Sequence, residues 1–172
     1  MHKDTFVLFA KYNKMTNEKM NDIIKTLSAE EWKKSLGGYF KSVRDLCSHL
    51  YIADFNWHKR FSKLRDFNVY KDAFFNRDPY PYTEVLFEDM GEYLAQRPSF
   101  DEKIIAFADE LRDADLSAPL KYTDPRGNAH ENEFGGLVLH CLNHETFHKG
   151  MLSLYLEMLG RENDFASLRF SL

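Results

Sequence analysis

The chain has 172 residues, with 27 acidic and 23 basic side chains, a formal net charge of −4, seven His and two Cys. That length suits one domain over residues 1–172, and a composition of 44% hydrophobic and 15% aromatic residues excludes wholesale disorder, while 8 Gly and 5 Pro speak against a turn-rich all-β fold. The acidic balance leaves no electrostatic footprint for nucleic acid, two distant Cys exclude a disulfide scaffold, and no apolar run reaches the ~20 residues of a membrane span, so a cytoplasmic protein is expected.

The first predicted helix runs from about Asp4 to Leu27, where Phe6, Phe9, Met20, Ile23, Ile24 and Leu27 return at helical spacing around a polar Lys11–Lys19 stretch that would tolerate a bend. Ser28, Gly37 and Gly38 mark a connection with a short helical turn at Ala29–Lys34. Ser42 followed by Asp45 is a capping-box-like start for the second helix. Its seam is Val43, Leu46, Leu50, Ala53, Trp57, Phe61 and Leu64. Arg65–Tyr82 loses the period and holds two X-Pro pairs, so it reads as a long crossing loop.

A third helical region is expected to begin near Thr83, with Pro98 interrupting or kinking it before Phe100, Ile104, Ile105, Phe107, Ala108 and Leu111 resume the pattern. Asp124-Pro125-Arg126-Gly127-Asn128 between Leu120 and Glu133 is a turn signal for a small β-hairpin. The last helix starts around Asn132–Phe134 and stops at Gly160, with Leu137, Cys141, His144, His148, Met151, Tyr155 and Met158 as its buried stripe. Phe165, Leu168 and Phe170 predict a tail that packs back. Four main helices with long connections make an all-α four-helix bundle with crossovers.

The segment HCLNHETFHKG, residues 140–150, carries the chemistry. His140, His144 and His148 lie four apart on one helix face, and His144 and His148 fall on the predicted seam. An imidazole buried without a partner costs about 1–3 kcal/mol, and an i, i+4 His pair can converge on one ion. His49, beside the seam of the second helix, supplies a third ligand across a bundle gap of about 8–10 Å, which leaves a coordination position open. The competing reading for each is a hydrogen-bonded core histidine. His140 sits one turn beyond the pair and suits the pocket wall or support of a ligand, His58 and His130 read as surface or loop residues, and His2 as frayed.

Asp45 is four residues before His49 and could orient it, although a capping role is favoured. Glu145 lies about 100° round the helix from His144 and is expected to face a neighbouring loop or solvent. Cys47 and Cys141 read as small buried hydrophobes, and Tyr51, Trp57, Phe147 and Tyr155 as core, with one or two lining a pocket.

LVLHCLNHETFHKGMLSLYLEMLG resembles the last-helix signature of the DinB-like (YfiT-like) family of proposed metalloenzymes, and SVRDLCSHLYIADFNW resembles its second-helix segment. Lys149 stands where the family commonly has arginine. The resemblance implies an up-up-down-down bundle with a three-His site for a divalent ion, usually Zn or Ni, on His49, His144 and His148. It also implies thiol-dependent S-transferase-type chemistry on a small-molecule substrate, with a low-molecular-weight thiol as partner. The alternatives are a metal-hydroxide hydrolase and a non-catalytic metal-binding stress-response or interaction protein. Neither nucleic acid nor membrane is an expected partner, and a homodimer is the commonest assembly.

Overall fold

The computed structural model describes residues 2–165 and 167–171. Helix α1 (Lys3–Ile24) is capped by His2, whose ring accepts from the Asp4 N–H and lies 3.2 Å from the Asp113 carboxylate, so His2 anchors a helix end that was expected to fray. The helix passes the polar 11–19 stretch unbroken, because Asn13, Thr16 and Asn17 are buried against partners rather than exposed. One turn, α2 (Ala29–Lys33), carries a full capping box between Ser28 and Glu31.

Helix α3 (Val43–Phe61) starts on Ser42, whose hydroxyl accepts from the Asp45 N–H at 3.2 Å. The Asp45 carboxylate turns to Arg44 Nε at 3.0 Å, so only half of the expected box forms. The predicted seam is buried at Val43, Leu46, Leu50, Ala53 and Phe61, but Tyr51, Ile52 and Phe55 are buried as well. This helix is surrounded on nearly every side.

Helix α4 (Met90–Glu110) begins at Met90, not near Thr83. Two facts move the start: Asp89 accepts from the Gly91 and Glu92 N–H groups as a true N-cap, and Phe87 is held in the core while its N–H donates to Ser48 Oγ. Pro98 does not end the helix. Burial of Tyr93, Arg97 and Phe100 on both sides of it outweighs one missing backbone bond. After α5 (Asp113–Leu116) comes the expected hairpin, β1 (Pro119–Thr123) antiparallel to β2 (Ala129–Glu133). Its turn is held by Asp124, whose carboxylate accepts from the Arg126 and Asn128 N–H groups at 2.9 Å. Helix α6 (Phe134–Met158) then runs to Gly160, which adopts φ +76 as the predicted left-handed stop.

The all-α bundle is as expected, but its helix directions are not up-up-down-down. Lys14 pairs with Glu102 and the Lys3 N–H donates to Asp113, so α4 is antiparallel to α1. Asn13 meets Leu142 and Thr26 meets Arg161, so α6 is parallel to α1. His49 meets His144 while Phe61 meets Phe134, so α3 is antiparallel to α6. The order is therefore up, down, down, up. A single connection, residues 62–89, has to climb the length of the bundle, since Glu88 returns to Arg44 at the start of α3.

The predicted stripe of α6 is buried at Leu137, Cys141, His148 and Tyr155, but the buried face extends beyond it on one side. Glu145, Lys149, Leu152 and Leu156 face inward, Met151 is half-buried, and Met158 is 53% exposed. Phe147, expected in the core, is 66% exposed on the outer face with Leu154. Phe165 packs back as expected; the expectation for the Phe170 side chain lies outside the described residues.

Candidate metal centre

The structure brings His49, His144 and His148 together. One ring nitrogen from each lies within 4.8 Å of the others, and this trio is the one such His, Cys, Asp or Glu group among the described residues. His49 Nε2 is 3.2 Å from His144 Nε2. That is close to the ~3.3 Å edge of a tetrahedron built on metal–nitrogen bonds of about 2.0–2.1 Å. It also suits an N–H···N hydrogen bond, so this pair does not decide alone. His148 adds the second observation: its Nδ1 is buried and has no hydrogen-bond partner among the described residues. An orphaned ring nitrogen beside two other imidazoles fits a divalent ion.

The burial of each ring decides what the trio can reach. His148 is buried, whereas His49 and His144 are half-buried. The cluster therefore sits at the rim of the core, with His148 on its inner side. One side is closed by Phe40, whose ring lies 4.3 Å from that of His49 and 5.4 Å from that of His148. The loop carrying Phe40 is pinned by Tyr155, whose hydroxyl donates to the Phe40 carbonyl at 2.5 Å. Gly38 makes this approach tolerable: it has φ +63, and a Cβ there would run into the Tyr155 hydroxyl.

Electrostatics keep the trio unprotonated. Burial pushes His49 down to about 3, helped by the neighbouring His144 and His148. Burial and His148 push His144 down to about 4, and burial lowers His148 too. Neutral imidazoles with free lone pairs are the form a metal needs.

The other candidates sort as follows. His140 is exposed, with its ring 5.2 Å from Trp57 and 6.2 Å from His144, a wall position rather than a ligand one. His58, expected at the surface, is 2% exposed, with Nδ1 2.9 Å from the Tyr70 hydroxyl. His130 stays on the exposed hairpin beside Asp124. Cys47 and Cys141 are free and buried. Tyr51 and Tyr155 are core, and Trp57 is half-buried at a cleft.

The largest departure is Glu145. It is buried within a charged network that the sequence reading missed. Arg97 reaches Asp54 at 2.8 Å, Asp101 at 2.7 Å and Glu145 at 3.3 Å. Lys149 reaches Glu145 at 2.9 Å, Thr16 Oγ1 at 2.8 Å and the Asn13 carbonyl at 3.0 Å. Asn17 donates to Asp101 at 2.9 Å. Every one of these side chains is almost fully buried. Two cations face three carboxyl groups, so one retained proton balances the set. Burial and the adjacent Glu145 charge push Asp54 well above the usual carboxylate range. Burial opposes ionisation of Glu145 too, but Arg97 and Lys149 outweigh it and hold this group below its usual range. Asp54 thus keeps the proton and Glu145 the charge. A readable signal did exist: Glu145 and Lys149 are spaced i, i+4, as are Arg97 and Asp101, and Asp54 interrupts the apolar run YIADF.

Glu145 follows His144, and Lys149 follows His148. The network therefore grips α6 one residue beyond each candidate ligand, which fixes the rotation of the helix and the direction of both rings.

A comparison of the whole chain with known proteins agrees with this architecture. A curated relative, protein DinB of Bacillus subtilis (strain 168), is 24% identical over 149 residues, covering 87% of this chain and 83% of that protein. A crystal structure of a DinB-like protein, YjoA of Bacillus subtilis, superposes with a TM-score of 0.57 at 14% identity, covering 90% of this chain and 94% of the other, which shows the shared fold. Residues 1–170 match the DinB family, and with a helical bundle and a three-His group compatible with metal binding, the chain belongs to that family.

Proposed function

We propose that this protein is a divalent-metal-dependent enzyme that transfers a low-molecular-weight thiol to small electrophiles. The observation that carries the reading is the trio His49, His144 and His148: neutral donors gathered at the rim of the bundle, backed by an orphaned nitrogen and by a rigid charged network. When bound, a divalent ion such as Zn or Ni supplies Lewis acidity and lowers the proton affinity of a thiol. The three imidazoles would hold it, Phe40 closes one side of the cluster, and the half-buried His49 and His144 leave the approach to small molecules.

Thiol transfer is favoured over hydrolysis by Glu145. A metal-hydroxide hydrolase commonly uses a carboxylate base beside the ion. The carboxylate next to the trio in sequence is committed to Arg97 and Lys149 and held ionised by them, so it is a poor proton acceptor. A bound thiol needs no such base. The test is metal analysis of chelator-stripped, reloaded protein followed by turnover with several thiols and alkyl or aryl halides. Wild type is expected to take up one divalent ion per chain and to turn over with at least one thiol, and His144→Ala to lose both. Failure to load any divalent ion sinks the reading; stoichiometric metal without His144-dependent turnover leaves a binding protein instead.

A further inference from the structure

The outward face of α6 carries no charge over most of its length. Its exposed positions from Gly136 to Leu154 include Leu139, Asn143, Phe147 and Gly150, and none of them is Asp, Glu, Lys or Arg. After Glu133 the next exposed charge is Glu157, near the end of the helix. The two charged residues within the span, Glu145 and Lys149, are both committed to the core. Helix α1 shows the ordinary pattern: apart from Thr5, its exposed positions are Asp4, Lys11, Glu18, Lys19 and Asp22. On α6, Leu139 is 38% exposed, Phe147 66%, Leu154 54% and Met158 53%. Single exposed apolar side chains need no explanation. A charge-free apolar stripe of about five turns does, because loss of charge marks the centre of protein interfaces.

The stripe is complementary to itself. Laid antiparallel on a second copy, about a two-fold axis between Gly150 and Met151, it sets Phe147 opposite the partner's Leu154. Asn143 then falls opposite the partner's Met158, and Gly150 opposite the partner's Met151, small against large. Each pair occurs twice, as in any isologous contact. The helix geometry agrees: at about 100° per residue, Asn143, Phe147, Gly150, Leu154 and Met158 share a sector of about 80° on the outward side. Charge also favours a second copy here. With a net charge of −4, two chains repel one another in most orientations, whereas this face brings them together with no like charges opposed.

The size of the face sets the strength. From Leu139 to Met158 the stripe is about 29 Å long and about 12 Å wide, so two copies bury on the order of 700 Å² along the helices alone. A run of neighbouring rings leads from Phe147 through His148 and Phe40 to Tyr39, which is 86% exposed and adds apolar surface beside the stripe. The total approaches the ~1,000 Å² at which specific interfaces begin, the class of weak and reversible dimers. Phe147 is where this face meets the candidate metal centre, since its ring lies 5.0 Å from that of His148.

We propose that the protein pairs with a second copy of itself through the outward face of α6, the two helices antiparallel and Phe147 packed on the partner's Leu154. The contact borders the histidine trio at Phe147, but it stands independently of the catalytic reading, because association is measured without metal or substrate.

The test is sedimentation equilibrium of the whole chain from about 1 μM to about 1 mM, the span in which an interface of this size dissociates. Wild type is expected to pass reversibly from the mass of one chain to that of two. Phe147→Glu and Leu154→Lys both change exposed positions, so each variant is expected to keep the wild-type circular dichroism. Each sets a charge against an apolar side chain of the partner and is expected to raise the dissociation constant at least tenfold. Mixed in equal amounts, the two variants are expected to associate again. The proposed register then sets the introduced carboxylate of one chain against the introduced ammonium of the other, and keeps one native Phe147–Leu154 pair. A wild type that stays at one chain throughout, a dimer that both charges leave untouched, or variants that do not associate on mixing would each overturn the proposal.

Discussion

His144 and Glu145 are neighbours in the chain, yet about 100° of helix rotation sends one to the rim of the bundle and the other into its core. His148 and Lys149 repeat the division one turn later. On the rim, three imidazoles stand together neutral, one with a buried nitrogen that has no hydrogen-bond partner among the described residues. In the core, two cations and three carboxyl groups are linked at 2.7–3.3 Å, with Asn13, Thr16 and Asn17 taking up further hydrogen bonds. A cluster of neutral rings thus sits back to back with one whose charges pair with each other. The charged one is a scaffold: it removes the freedom of α6 to rotate, which the neutral one cannot do for itself.

The strongest way to break this contrast is to take the central cation out of the core. Arg97→Met leaves Asp101 and Glu145 without their main counter-charge in a dry site. A loss of about 3–5 kcal/mol is expected, read from the urea midpoint, because a buried charge left alone is far costlier than a buried pair is beneficial. A loss below about 1 kcal/mol would show that water reaches the network. Any folded fraction should also bind metal more weakly, since the grip on α6 is gone.

The rim responds in the opposite sense. Removing His148 takes away an unsatisfied nitrogen, so metal-free His148→Leu is expected to be at least as stable as metal-free wild type. The difference appears on loading. With free metal at a hundredfold excess over its dissociation constant, wild type should gain about 2.7 kcal/mol, seen as a higher Tm that a chelator reverses, and His148→Leu should gain nothing. Equal metal shifts in the two proteins would remove His148 from the site.

These two clusters were unequally legible in the sequence. The histidines announce themselves because imidazoles four apart on an apolar face have few bland explanations, and His49 falls on the facing helix. The elements were legible for the same kind of reason: Ser42 caps α3, Gly160 stops α6, and the Asp124 turn makes the hairpin. The core network was not, because hydropathy patterning assigns charge to the surface. Glu145 lies just beside the predicted stripe and so is assigned outward, and Asn13 to Asn17 fall within a polar stretch expected only to tolerate a bend. A pattern scores each residue alone, whereas burial of Glu145 becomes affordable only once Arg97 and Lys149 arrive from 48 residues away and from the next turn. The start of α4 failed similarly: Thr83 is an adequate cap in isolation, but the Ser48 contact to Phe87 is tertiary.

His58 sharpens the comparison through pH. It is buried like the network but neutral like the rim, pushed down to about 3 by burial and by the Arg97 charge. The folded chain therefore refuses a proton that the unfolded chain accepts near pH 6.5. Its contribution is fully present above pH 6.5 and is lost as the pH falls toward 3, at up to about 1.4 kcal/mol per pH unit. His58→Leu gives up the Tyr70 contact and starts less stable, yet its urea midpoint should fall less steeply between pH 6.5 and 4.5, by close to one proton. Parallel slopes would mean that His58 is protonated in the folded state.

The smallest expected effect is the most pointed. If Asp54 holds the proton of the network, then Asp54→Asn replaces a neutral donor–acceptor group with another of nearly the same shape. Its carbonyl can still accept from Arg97, which lies 2.8 Å from Asp54 Oδ2, and its amide can still face Glu145. The cost should stay below about 1 kcal/mol, the scale of a neutral hydrogen-bond adjustment. Glu145→Gln removes a real negative charge between two buried cations and should cost several times more. Denaturant unfolding of both variants at pH 7 decides it. If Asp54→Asn proves the more damaging, the proton sits on Glu145, the charge belongs to α3, and the network grips α6 by a neutral hydrogen bond instead of by ion pairs at both of its inward-facing residues.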